Sequence, residues 1–313
     1  MPQNVYVLPL ETINKMKLSY TDSLTATPPG AVFRAKTSHA VITAYKSGKV
    51  LFQGSSPETE AVKWSAEGSG TSNAHKKPKP AAKPFSKFAP PKKLFNENHI
   101  GSDEAGTGDY FGPITVAAVY VEQQQIDTLK RLGVKDSKAL TDPVIRQLSK
   151  EIIKQNIAYS LLVLHNEKYN NLQRGGWTQG KMKAMLHHHA ISKLLQKIEN
   201  KPWDGIIIDQ FCEPAVYNRH IASEKESLTE KTYFLTKAES YSIAVAAGSI
   251  IARTSFLNEM DKLSDQTGIT LPKGASKKVD KTIAEVITVK GDAFLNKIAK
   301  THFANTKKAR LYL

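Results

Sequence analysis

Residues 68–93 constrain the fold of this chain before any other feature. Gly, Ser, Pro, Lys and Ala dominate the stretch, and it holds no acidic residue. Pro78, Pro80, Pro84, Pro90 and Pro91 fix φ and remove amide donors, so regular helix is blocked and extended, semi-rigid chain is favoured. The sequence is therefore read in three parts. These are an N-terminal module over residues 1–67, a basic Pro/Lys linker over 68–93, and a body over 94–313, the first and last being ordinary domain sizes.

The N-terminal module reads as a small α+β unit. Ile13, Met16, Lys17 and Tyr20 follow Leu10 at helical spacing. Residues 31–36, 40–45 and 50–53 read as a three-stranded antiparallel meander, with Ser47-Gly48 as the hairpin between the last two. Pro57 opens a second helix, over 58–65. Arg34, Lys36, Lys46 and Lys49 are candidates for a basic sheet face. The body alternates strands (114–121, 158–164, 205–209, 232–236) with helices (125–132, 142–155, 179–199, 242–260), and 165–176 reads as a polar loop. Such alternation predicts an α/β fold, with helices flanking a mixed sheet.

Charge narrows the partner. Lys plus Arg number 44 against 29 acidic residues, a net charge of +15, and seven of the lysines lie within 68–93. A polyanion is the natural partner, nucleic acid before anionic membrane. No apolar run reaches the ~18 residues that a membrane-spanning helix needs. Residues 1–10 show no basic segment leading into an apolar one, so no secretion signal is expected. The single Cys212 excludes an internal disulfide and fits a reducing cytoplasm.

Against this basic background, acidic residues recur where strands end. Asp103 and Glu104 stand in the run Gly101-Ser102-Asp103-Glu104-Ala105-Gly106-Thr107-Gly108-Asp109-Tyr110-Phe111-Gly112-Pro113. Adjacent strand residues point to opposite faces, so the pair converges only if the strand ends there and the glycines bend the chain. Asp209 closes the apolar run Gly205-Ile206-Ile207-Ile208, at the end of a central strand where α/β ligands bind. Glu239 precedes a small-residue helix, where capping is an equally good reading. Together the four offer oxygen donors for hard cations such as Mg²⁺ or Mn²⁺. His187-His188-His189 is not read as a chelate, because consecutive helical side chains project ~100° apart. Tyr169 and Trp177, near Asn170, Asn171 and Arg174, are candidates to flank a groove.

The 101–113 run resembles the signature of type 2 ribonucleases H, and of the ribonuclease HIII branch in particular. Asp136-Ser137-Lys138, Asp209, Lys237-Ala238-Glu239, residues 247–253, residues 271–276 and residues 300–306 continue the match in order, so it covers nearly the whole chain. Two positions separate the chain from the ribonuclease HII pattern: Thr107 where that branch has Arg, and Glu239 where it has Asp. The resemblance implies an RNase H-like body carrying a TATA-binding-protein-like N-terminal domain. It further implies Mg²⁺- or Mn²⁺-dependent endonucleolytic cleavage of RNA in RNA–DNA hybrids, leaving 5′-phosphate and 3′-hydroxyl ends. Asp103, Glu104, Asp209 and Glu239 would then be catalytic metal ligands. Gly106, Thr107 and Gly108 would read the 2′-hydroxyl, and Lys138 and Ser249 would contact phosphates. No membrane or obligate protein partner is expected, and a monomer is. The alternatives are ribonuclease HII-type cleavage at single ribonucleotides in DNA and a non-catalytic nucleic-acid-binding protein.

Overall fold

A computed structural model describes residues 3–64, 88–134 and 140–313. The chain divides into two compact units, residues 1–84 and 85–313.

In the first unit the element order is β1 (Gln3–Val7), α1 (Leu10–Ser19), β2 (Leu24–Thr25), β3 (Ala31–Lys36), β4 (Ala40–Tyr45), β5 (Lys49–Gly54) and α2 (Pro57–Ala61). The sheet runs β1-β5-β4-β3-β2 and is antiparallel throughout, so the expected three-stranded meander is the centre of a five-stranded sheet. β2 has two residues, too few to show alternation, and β1 hides at the chain start. Phe33, Ala35, Ile42, Ala44, Val50 and Phe52 bury one face together with Ile13 and Met16 of α1. Strand alternation turns Arg34, Lys36 and Lys49 to the other face, where all three are exposed. Lys46 lies in the turn between β4 and β5.

The second unit holds β6 (His99–Ala105), β7 (Ile114–Val121), α3 (Gln123–Arg131), α4 (Asp142–Lys154), β8 (Tyr159–Leu164), α5 (Asn166–Arg174), α6 (Gln179–Lys197), β9 (Gly205–Asp209), α7 (Pro214–Ala222), β10 (Thr232–Leu235), α8 (Ile243–Thr267), α9 (Lys277–Lys290), α10 (Leu295–Ile298) and α11 (Ala304–Ala309). Its sheet runs β10-β9-β6-β7-β8. β9 is parallel to β6 and to β10, while β7 is antiparallel to β6 and β8, which makes the sheet mixed. One face packs on α6 and α7 through Ile100, Val116, Met182, Leu194 and Tyr217. The other packs on α3, α4 and α8 through Ala117, Val119, Ile126, Ile152 and Ala247. Phe88, within the stretch read as linker, packs on Phe234 with ring centroids 5.9 Å apart.

Three expectations need correction. Residues 165–176 are largely the helix α5, hidden from periodicity because its inward residues include Asn166 and Asn170 beside Tyr169. Asn166 donates to Gly112 O at 2.9 Å, and Asn170 to Ala299 O at 2.8 Å, so amides do the anchoring there. Second, β6 does not stop at the acidic pair: Asp103 pairs with Ala117, Glu104 with Val116 and Ala105 with Thr115. Helix α8 also runs beyond the expected Met260 to Thr267, where Gly268 ends it at φ +73°.

Candidate active site

β6 lies at the centre of the sheet, paired with β9 and β7, and Gly101 lets α8 settle directly on it. A side chain at Gly101 would bring Cβ to 2.1 Å from the Val245 nitrogen. The close approach sets Ser249 of α8 beside Asp103, and the Ser249 hydroxyl hydrogen-bonds the Asp103 side chain. Asp103 Oδ1 also accepts from the Glu104 amide at 2.7 Å. Strand alternation sends Glu104 to the α6 side. There Oε1 accepts from Lys183 Nζ at 2.8 Å and Oε2 from His187 Nε2 at 2.9 Å. Asp209, at the end of β9, accepts at Oδ1 from the Ala238 amide at 2.9 Å. That bond ties β9 to the 3₁₀ turn Ala238–Ser240, in which Glu239 is buried.

Asp103, Glu104 and Asp209 line one cavity of about 430 Å³, with Asp142, Ser249 and Arg253 among its other walls. The acidic pair therefore shares a site although the strand stays regular: the cavity opens at the end of the strands and is reached from both faces. Glu239 adjoins this site through Ala238 without lining the cavity. Burial, then Glu104 and Asp209, push the Asp103 carboxyl well above its usual range. Burial also acts on Glu104, but the hydrogen bond and charge of His187, with Lys183, outweigh it and bring that carboxyl down to about 2.

The loop after β6 is held from outside. Gly106 has φ +86°, and a Cβ there would lie 2.2 Å from Pro113 O, so this glycine answers to internal packing. Gly108 is exposed, with open space where its Cβ would be. Thr107 O accepts from Gln179 Nε2 at 3.1 Å. Thr107 Oγ1 is buried and has no hydrogen-bond partner among the described residues. Lys300, fully buried, donates to Asp109 O at 2.8 Å and to Gly112 O at 2.6 Å. Lys138 lies outside the described residues.

Comparison with known proteins decides the family. A family model, Ribonuclease HII, matches residues 100–306, and a second, a domain of unknown function, matches residues 3–77. The chain is 58% identical over 313 residues to a ribonuclease HIII of Oceanobacillus iheyensis, covering all of both chains. It is 51% identical over 312 residues to one of Bacillus subtilis, covering 99% of this chain and 97% of that one. The crystal structure of Bst-RNase HIII in complex with Mn²⁺ superposes with a TM-score of 0.68 at 41% identity, covering 99% and 98% of the two chains. The chain belongs to the ribonuclease HIII family. The RNase H-like body and small N-terminal domain implied by the motifs are thus shared with a solved relative. Among the described residues, no helix is long and apolar enough to cross a membrane.

The donor set fits a hard divalent cation. Three carboxylates enter one cavity, and burial, then repulsion from Glu104 and Asp209, hold Asp103 against ionisation, which a bound cation would oppose. Sequence reasoning missed Lys183 and His187. They lie four residues apart on the inward side of α6, beside the apolar stripe, and that i,i+4 polar pair was the available signal. The histidine run separates only in part: His187 turns away from the other two, whereas the consecutive His188 and His189 converge, against the expectation from helical geometry. His187 is buried against Glu104, while donor atoms of His188, His189 and Glu226 lie within 4.8 Å of one another nearer the surface.

Proposed function

We propose that this protein is a cytoplasmic, monomeric endonuclease that hydrolyses the RNA strand of RNA–DNA hybrids, leaving 5′-phosphate and 3′-hydroxyl ends. The observation that carries the reading is the meeting of Asp103, Glu104 and Asp209 in one cavity of a chain with net charge +15. A basic surface attracts a polyanion, whereas bare carboxylates at its centre would repel the scissile phosphate. Asp103, Glu104, Asp209 and Glu239 would hold Mg²⁺ or Mn²⁺. Bound cations of this kind neutralise charge on the phosphate and lower the pKa of a nearby water.

The remaining roles belong to the chain itself. Asp103, on the central strand beside Glu104 and Asp209, would hold a cation together with them. Ser249 orients the Asp103 carboxylate, and Lys138 would contact a backbone phosphate. The Gly106-Thr107-Gly108 loop would meet the minor groove through its exposed Gly108, with buried Gly106 shaping the turn, and there the 2′-hydroxyl separates RNA from DNA. The exposure of Gly108 and the open space around it support that reading. Arg34, Lys36 and Lys49, on the open sheet face of the N-terminal unit, would tether the hybrid and raise its local concentration.

The test compares a fully hybrid duplex with a duplex holding one ribonucleotide, each with Mn²⁺ and with chelator. Cleavage of the hybrid only with metal, lost in Asp103→Asn while hybrid binding persists, is the expected result. Preference for the single ribonucleotide would instead favour ribonuclease HII-type cleavage, and binding without metal uptake a non-catalytic role.

A further inference from the structure

Ser102, His187 and Glu104 form one buried chain of hydrogen bonds from the sheet to the cavity. Ser102 and Glu104 are two residues apart on β6, so both side chains face α6. His187 stands between them, with Nδ1 2.7 Å from Ser102 Oγ and Nε2 2.9 Å from Glu104 Oε2. An ionised carboxylate can only accept, so Nε2 carries the proton and donates. The imidazole is fully buried and stacks on Phe211, with centroids 5.3 Å apart and planes 24° apart. Flipping the ring would break both bonds, and tilting it would break the stack. Its direction is therefore set on three sides.

Ordinary packing of a histidine under a sheet requires none of this. Glu104 is partly exposed at the cavity, where water could satisfy its oxygens. Instead both oxygens are engaged from inside the protein, Oε1 by Lys183 and Oε2 by His187. Lys183 contributes charge on a flexible stem, whereas the planar ring contributes direction.

We infer that His187 is a positioning residue, which holds the Glu104 carboxylate in the one orientation a divalent cation in the cavity requires, and that Ser102 fixes the ring. The inference rests on the proposed metal-dependent reading of this site. Residues behind metal ligands typically alter affinity by ~10–100-fold when removed, without touching the ion.

The test titrates Mn²⁺ calorimetrically into the full chain and records melting curves in chelator. His187→Phe keeps the ring and its stack but loses both hydrogen bonds. It should still fold, melting below the wild type without metal because Ser102 loses its partner, yet bind Mn²⁺ at least ~10-fold more weakly when fully folded. His187→Gln, whose terminal amide can still donate to Glu104, should recover most of that loss. In both variants kcat should follow metal occupancy while KM for the hybrid stays fixed. Unchanged Mn²⁺ affinity in His187→Phe, or an equal loss in His187→Gln, would overturn the inference. Should His187→Phe fail to fold, Ser102→Ala decides: it should weaken Mn²⁺ binding, and unaltered affinity there refutes the relay. A wild type that takes up no more Mn²⁺ than Asp103→Asn would overturn the metal-dependent reading itself, and this inference with it.

Discussion

Gly101→Ala is the sharpest probe of how the body positions its acids. A Cβ at residue 101 would sit 2.1 Å from the Val245 nitrogen and 2.3 Å from the Ala244 carbonyl carbon, both backbone atoms of α8. Neither can rotate away, so β6 and α8 must part by about 1.3 Å to restore an ordinary 3.4 Å contact. Overpacking typically costs ~1–3 kcal/mol, and a backbone-on-backbone collision belongs at the upper end. At ~2–4 °C per kcal/mol for a unit of this size, the melting temperature should fall by ~6–12 °C. The same separation draws Ser249 of α8 away from Asp103 of β6. A misplacement of ~1 Å at a reacting centre can cost ~100-fold in rate, so cleavage should fall well beyond the effect on folding. The assay is calorimetric melting in chelator, joined to single-turnover cleavage at a temperature where the variant is fully folded. Gly108→Ala serves as the stability control, since nothing lies within 4 Å of a Cβ there. A Gly101→Ala protein that melts with the wild type would refute the argument that this contact seats the site.

In chelator, Asp103→Asn should melt above the wild type at pH 8. Burial, then Glu104 and Asp209, raise the Asp103 carboxyl, so the unfolded chain releases that proton first and wild-type stability falls as pH rises toward the folded value, by ~1.4 kcal/mol per unit of displacement; a variant no more stable than wild type would contradict this. Lys300→Met should flatten a rise in stability between pH 7 and 10 seen by chemical denaturation. Burial lowers the Lys300 ammonium to about 7 from 10.5, so in that window the unfolded chain holds more protons and stability climbs with pH; identical slopes in variant and wild type would count against the buried amine. Deleting residues 1–84 should raise KM for the hybrid more than it lowers kcat, and wild-type binding should weaken steeply with salt as counterions are released, whereas salt-independent binding would speak against phosphate contacts.

Much of the fold is legible because its signals are local. An apolar run such as Ile114–Val121, buried at every position, can only be an inner strand. Asp142-Pro143 starts α4 where proline is tolerated, and Ser242 caps α8 by accepting from the Val245 amide. What failed was structure held by distant partners. Helix α5 buries asparagines on Gly112, Asn296 and Ala299, so its inward face looks polar and its sequence reads as loop. The edge strands β1 and β2 belong to a sheet only through pairing with β5 and β3, which no short pattern encodes.

The site divides along the same line. Asp103, Glu104 and Asp209 are readable as acids at the ends of inner strands, where α/β ligands bind and a carboxylate is costly to bury. How Asp103 and Glu104 come to share a cavity is not readable, because the answer lies in what stands on each face of β6. Asp103 meets Ser249 of α8, and Glu104 meets Lys183 and His187 of α6. A regular strand would split the pair between two helices, and the cavity at the end of the sheet reunites them. Their surroundings then set the two carboxyls apart in character: burial, then Glu104 and Asp209, drive Asp103 toward neutrality against the Ser249 hydrogen bond, whereas His187 and Lys183 of α6 outweigh burial and keep Glu104 ionised. Two adjacent and chemically similar residues thereby become a strained acid and a settled anion. That difference is built by His187 and Lys183 of α6 and by Asp209 of β9, far from either residue in sequence.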